Sequence, residues 1–177
     1  MTEFIHSTAI INQPAVIGKN VEIREFSVIC GTPLEFKNFK REEAKFGVEI
    51  GNDVYIGPHS VIMSGVTRPT KIGNQVIIGQ YTDIGHDCII GNRTEIISTF
   101  VSGFVEIGDD TVIHAGSTIR NRIRIGKNTI IGQGSNVVKD IPDNVVAYGN
   151  PCTVISKKPE GVNLFIKNTS KKIRRLI

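Results

Sequence analysis

The chain has no tryptophan, and aromatic residues fill only 6% of its 177 positions. The composition therefore offers no stacking platform for nucleic-acid bases. Three cysteines, Cys30, Cys88 and Cys152, are far apart and odd in number, which rules out both a disulfide framework and a CxxC pair. No run is long and apolar enough for a membrane-spanning helix. Met1 to Ile10 contains Glu3 and no basic segment leading into an apolar stretch. No signal peptide is expected, and a reducing cytoplasm is the expected location. The net charge of +4 is modest. It suits an anionic, phosphorylated substrate but makes no case for a nucleic-acid partner. With 40% hydrophobic and 21% charged residues the chain is of ordinary globular composition, and its length bounds it to one domain with a small appendage.

What the chain has in abundance is a six-residue rhythm of isoleucine and valine. The longest unbroken run is Ile107, Ile113, Ile119, Ile125, Ile131 and Val137. Earlier runs are Ile72 to Ile96, Ile50 to Ile62, and Ile5 to Ile29, each in steps of six. Neither an α-helix nor a strand alternating between two faces has that period. It is the spacing of a parallel β-helix of hexapeptide turns. Glycine often follows the aliphatic residue, as at Gly51, Gly73 and Gly91, and is expected there for the backbone angles it reaches. Four places after the aliphatic residue stands a small or branched one, such as Ser60, Thr82, Cys88 or Thr111, which fits a second inward position. Three hexads make one coil of roughly 18 residues, stacked at about 4.8 Å on the next. So narrow a prism has little core per residue and is expected to associate laterally.

The breaks in the rhythm are expected to be loops leaving the prism. The first, over 31–47, is charged with Phe36, Phe39 and Phe46 interleaved. It either folds over a substrate or lies on the prism wall. A second break lies around Thr67-Arg68-Pro69-Thr70, and a third at Phe100 to Phe104. The prism is expected to end near Ile155, giving a domain over 1–155. The remaining 156–177 form a basic tail with Lys167, Lys171, Lys172, Arg174 and Arg175, possible as a short helix capped at Asn168, Thr169 or Ser170.

Of the four histidines, His86 stands at a corner where side chains point outward, between Asp83 and Asp87. Either carboxylate could hold the ring in one tautomer, and an imidazole so placed can serve as a general base. A surface histidine beside an incidental carboxylate would have the same spacing. His59, His86 and His114 are separated by 27 and 28 residues, not by whole coils, so a shared zinc site is not expected. Cys88 occupies an inward position and reads as core.

The whole prism resembles the hexapeptide-repeat acyltransferases. Gly31-Thr32-Pro33-Leu34-Glu35-Phe36-Lys37 and Ile84-Gly85-His86-Asp87-Cys88-Ile89-Ile90-Gly91-Asn92-Arg93 look like the UDP-N-acetylglucosamine acyltransferases of lipid A synthesis. Val138 to Val145 and Gly149-Asn150-Pro151 are similar to the nucleotide-sugar N-acetyltransferases. The resemblance implies an all-β, left-handed parallel β-helix, a homotrimer, and active sites between subunits. It implies His86 as base, Asp87 as the residue orienting it, and a backbone N–H of Gly103 for the oxyanion. It further implies a nucleotide-sugar substrate near Asp83, Arg68 and Phe104. Acetyl-CoA would be the co-substrate, bound by later coils at Gly116, Gly134, Lys139, Asn150 and Pro151, with no metal required. The lipid A branch has histidines where this chain has Asp83 and Phe104, and it carries a helical C-terminal domain for which this chain is too short. An acetyl-CoA-dependent acetyltransferase acting on an amine or hydroxyl is therefore the first reading, and an acyl-carrier-protein-dependent O-acyltransferase the second. A non-catalytic scaffold and a gamma-carbonic-anhydrase-like protein are the readings from other classes.

Overall fold

The structure is a computed structural model that describes residues 4–33, 36–37, 40–41 and 43–158, with the backbone alone for 36–37 and 40–41. It is an all-β prism of about eight coils. Three parallel sheets form its walls, of nine, seven and six strands, the nine-stranded one ending in an antiparallel strand. No helix occurs among the described residues. The basic tail beyond Lys158 lies outside them. Before it, Thr153–Lys157 folds back antiparallel on Val145–Tyr148, so the last described segment is a strand.

Registers show why six residues suffice for a side. Ile72 aligns with Ile90, Ile90 with Ile107 and Ile107 with Ile125 in one wall. Ile78, Ile96, Ile113 and Ile131 align in another, and Ile84, Val101, Ile119 and Val137 in the third. Each inward isoleucine thus sits directly on the one a coil below, and Ile23, Ile56, Ile78, Ile96 and Ile113 are fully buried. The second inward positions are buried as their sizes require. Hydroxyls there find carbonyls along the axis, as Ser60 donates to the Gly79 carbonyl at 2.9 Å and Thr111 to that of Gly126 at 2.8 Å, although the buried Thr70 hydroxyl has no partner among the described residues.

Two expectations need correction. The glycines after the aliphatic residue do not supply unusual backbone angles; the left-handed φ falls two places later, on Asn20, Asp53, Gln75, Arg93, Asp110 and Asn128. Glycine is needed for clearance instead. A Cβ on Gly91 would lie 2.5 Å from the Asp109 backbone nitrogen in the next coil. The third break in the rhythm is not an external loop. Ile97, Ser98 and Thr99 make a corner one residue short, after which Phe100–Val101 pairs normally with the coils on both sides. The first break does leave the ladder. Phe36–Lys37 and Lys40–Arg41 form a two-stranded antiparallel hairpin before Val48–Ile50 rejoins the wall.

Stacking also exposes a repeated polar device that the sequence reading did not use. At one corner the side chain following the clearance glycine accepts from the backbone of the coil below: Asn74 from Asn52 N–H, Asn92 from Asn74 N–H, and Asp109 from Asn92 N–H, at 2.8–2.9 Å. These bonds satisfy corner amides that the sheets leave unpaired.

Truncating a central member of an isoleucine column removes packing on two sides at once. Ile96→Ala is expected to cost about 2–5 kcal/mol of unfolding free energy, read from the shift in the urea midpoint.

Candidate active site

The chemistry collects at the corner between the seven-stranded and six-stranded walls. Three successive coils turn there through Gly85-His86-Asp87-Cys88, Ser102-Gly103-Phe104-Val105 and Arg120-Asn121-Arg122-Ile123. Phe104 N–H donates to the His86 carbonyl at 2.9 Å and Arg122 N–H to that of Gly103 at 3.1 Å, which holds the corners in line. Asp87, Phe104 and Arg122 share one position, each left-handed with φ near 60°. The fourth residues, Cys88, Val105 and Ile123, turn inward and are buried. Burial pushes the Cys88 thiol up to about 12, so it is a core side chain at neutral pH.

His86 is 8% exposed, and its Nδ1 lies 2.8 Å from Asp87 Oδ2. Asp87 is completely buried and is held from every side by the loop of the second rhythm break. Its Oδ1 accepts from Thr67 N–H at 2.8 Å, the Thr67 hydroxyl at 2.5 Å and Arg68 N–H at 2.9 Å. Oδ2 accepts from Val66 N–H at 2.9 Å as well as facing the imidazole. Burial on its own would raise this carboxyl. The donors outweigh it, the Thr67 hydroxyl first, then Val66 N–H, His86 and Thr67 N–H, and hold it at about 2. The carboxylate is therefore ionised throughout the neutral range, and a hydrogen bond to it keeps a proton on Nδ1.

Gly103 packs against the other side of the ring. A Cβ there would stand 2.7 Å from His86 Nε2, so only glycine lets the imidazole lie along the next coil. Among the described residues the Gly103 N–H donates to no backbone carbonyl. Phe104 closes the site with its ring perpendicular to the imidazole at 5.0 Å. Arg122 lies over the Phe104 ring at 4.1 Å. Arg68 donates through Nε to the Asp87 carbonyl at 3.0 Å and pairs with Glu106 at 2.9 Å. Beside these groups opens a cleft of about 360 Å³ lined by Thr67, Arg68, Phe104, Glu106, Arg122, Ile123 and Arg124.

The structure thus brings His86, Asp87, Gly103, Phe104 and Arg68 together. Asp83 stands three residues before His86, on the outer face of the seven-stranded wall between Val61 and Phe100. It is half-buried, its carboxyl is raised by desolvation, and Oδ1 has no hydrogen-bond partner among the described residues. Lys139 is exposed on the same corner as His86, three coils further on. Gly116 and Gly134 are not beside His86 within the chain. They stack on the corner between the nine-stranded and seven-stranded walls, both with left-handed φ. Asn150 Oδ1 accepts from Asn136 Nδ2 at 3.0 Å on that side of the seven-stranded wall, and Asn150-Pro151 is a cis peptide. His59 and His114 share this other corner, three coils apart, and neither approaches His86. His59 stacks instead between Phe26 and Tyr81, at 5.1 and 5.2 Å.

Thr67, Glu106, Arg122 and Arg124 were missed in the sequence. One signal was available for Arg122: it follows Phe104 by one coil, as Phe104 follows Asp87. No period could have found Thr67, whose loop has irregular length.

With this geometry in view, comparison with known proteins is informative. Residues 104–139 match the family model described as bacterial transferase hexapeptide (six repeats). An acyl-[acyl-carrier-protein]–UDP-N-acetylglucosamine O-acyltransferase from Burkholderia orbicola is 33% identical over 152 residues, covering 84% of this chain and 55% of the relative. One of the same name from Pseudomonas aeruginosa is 34% identical, over 60% of this chain and 45% of the relative. The chain spans about half the length of these curated relatives. Among solved structures, a UDP-N-acetylglucosamine acyltransferase from Bacteroides fragilis superposes with a TM-score of 0.83 at 26% identity, covering 98% of this chain and 68% of the other. PerB from Caulobacter crescentus, solved with CoA and GDP-perosamine, has a TM-score of 0.56 at 22% identity over 88% of this chain and 58% of its own, and shares the fold alone. The chain is a hexapeptide-repeat β-helix resembling the UDP-N-acetylglucosamine acyltransferases.

Proposed function

We propose that this protein is an acyltransferase that moves an acyl group from a thioester to a hydroxyl or amine of a nucleotide-linked sugar. The observation that carries the reading is a His86 imidazole held between an ionised, fully buried carboxylate and a glycine whose side-chain space it occupies. With the proton on Nδ1 kept by Asp87, the lone pair is on Nε2. Nε2 takes the proton of the acceptor group as the acceptor's oxygen or nitrogen attacks the thioester carbonyl. The Gly103 N–H stabilises the oxyanion of the tetrahedral intermediate. Its collapse expels the thiolate of the carrier, which takes the proton back from the imidazolium. Asp83, with an unpartnered oxygen near the base, accepts a hydrogen bond from the sugar.

Two donors are distinguished by test. The curated relatives are named for an acyl carrier protein, which supports that donor and a UDP-linked N-acetylglucosamine acceptor. The Gly149-Asn150-Pro151 ending resembles the acetyl-CoA-dependent branch and supports acetyl-CoA, with Gly116, Gly134 and Lys139 among the residues that hold it. Gly116 and Gly134 lie on the other corner from His86 within one chain, so this reading calls for a homotrimer in which a neighbour presents them. The exposed Phe26, Tyr81 and Phe100 around the seven-stranded wall support such lateral association. Mass spectrometry of UDP-linked sugars incubated with acetyl-CoA or with acyl-carrier thioesters separates the donors. Product from neither, across UDP-N-acetylglucosamine and UDP-linked amino sugars, would reject the reading.

Replacing His86 by alanine is expected to lower kcat by about 10²- to 10⁴-fold while the fold, followed by circular dichroism, is retained. Activity near that of the wild type would show that the imidazole is not the base. Gly103→Ala should be damaging by sterics alone, because the methyl displaces the imidazole; a comparable loss of kcat is expected with the fold, followed by circular dichroism, retained. Asp87 also gives a pH signature. Its carboxyl is lower in the folded chain than in the unfolded one, so its stabilisation, about 2 kcal/mol, is fully present above about pH 4 and is lost as pH falls through about 2. Asp87→Asn should be less stable at neutral pH and should lack that acid limb in urea titrations between pH 2 and 5.

A further inference from the structure

The cleft on the six-stranded side of the corner is built around positive charge. Three guanidinium groups, of Arg68, Arg122 and Arg124, line it against the single carboxylate of Glu106. Two of the three are fixed in place before any ligand arrives. Arg68 is tied to the Asp87 carbonyl and to Glu106, and the Arg122 guanidinium rests 4.1 Å from the centre of the Phe104 ring. Arg124 stands directly opposite Glu106 in the sheet register, yet Glu106 is engaged by Arg68. Arg124 keeps its backbone anchored through its N–H to Asp140 Oδ1 at 2.8 Å, while its side chain is exposed. Within the cleft lining itself three arginines thus face one carboxylate, the ionised Asp87 and Asp140 standing elsewhere on the corner, and the Phe104 ring that packs on the imidazole at 5.0 Å is part of the cleft wall.

We propose that this cleft is a phosphate subsite, in which Arg122 and Arg124 bind a phosphate ester of one of the two reactants. This rests on the acyl-transfer reading for the identity of the reactants. Guanidinium forks match phosphate oxygens two at a time, and a pre-fixed arginine loses little freedom when it binds. Two sources carry the required chemistry: the diphosphate of the nucleotide sugar, and the phosphates of the thioester carrier. Glu106 then has a second effect. By holding Arg68 it withdraws one positive charge from the cleft and opposes the anion.

Calorimetry on the full chain with inorganic pyrophosphate, UDP and CoA tests the subsite without turnover. Arg124→Gln and Arg122→Gln are each expected to weaken pyrophosphate binding about tenfold or more, the usual worth of a charged hydrogen-bonding pair. Glu106→Gln should tighten it, an outcome that a purely structural role for these residues would not produce. Weaker UDP binding with unchanged CoA binding identifies the nucleotide sugar as the source; the reverse identifies the carrier. Should Arg122→Gln unfold through loss of its packing on Phe104, the Arg124 and Glu106 variants still decide. Unchanged binding of all three probes to Arg124→Gln and Glu106→Gln, or no pyrophosphate binding by the wild type, would overturn the subsite. Such a result leaves the His86→Ala turnover assay untouched, so the subsite and the catalytic reading fail separately.

Discussion

Everything in this molecule depends on backbone hydrogen bonding along the prism axis. Successive strand residues bond alternately to the two neighbouring coils, as Ile77 N–H donates to Thr94 in the coil ahead while the Ile78 carbonyl accepts from Gly57 in the coil behind, so chain positions about eighteen residues apart are locked into contact. That single constraint explains the isoleucine columns, the satisfied inner hydroxyls and the corner asparagines. It also explains the corner that holds His86. His86 meets Gly103 because both are second in their turns, and Asp87, Phe104 and Arg122 form a column because all are third. The sequence neighbours of a residue matter less here than those one coil away.

The fold was legible because its signal is redundant. An inward branched residue is required at every sixth place, and the requirement is repeated through about eight coils. Individual steps can fail, as between Ile29 and Ile50 or between Ile62 and Ile72, without hiding the period. What was misread had the same outward mark as something else. A one-residue shortening at Ser98 and a four-residue insertion near Arg68 both break the rhythm, yet only the insertion leaves the wall. The glycines were placed correctly and explained wrongly, because a requirement for clearance and one for φ leave the same letter in the sequence.

At the site, the His86–Asp87 pair was readable from adjacency and from its resemblance to a known motif. What makes Asp87 effective was not. Its charge is secured by Val66, Thr67 and Arg68, which reach it across twenty residues through an insertion of arbitrary length. Three of the four loop donors are backbone amides, which have no signature in side-chain identity, and the fourth, the Thr67 hydroxyl, sits in a loop of irregular length. The arginines of the cleft were obscured for another reason. On an exposed wall, charged residues are the common case, and only the register shows which of them face the same space.

Corner insertions have a wider consequence. The wall registers tolerate coils of seventeen or eighteen residues, and longer excursions are accommodated where one strand hands over to the next. The prism is in this sense a rail on which turns can be lengthened one at a time without disturbing the others. Both large excursions in the chain, after Gly31 and after Met63, leave from the corner that holds His86. The surface of such a solenoid can therefore diversify by splicing at one edge, while the coils beneath it keep their register.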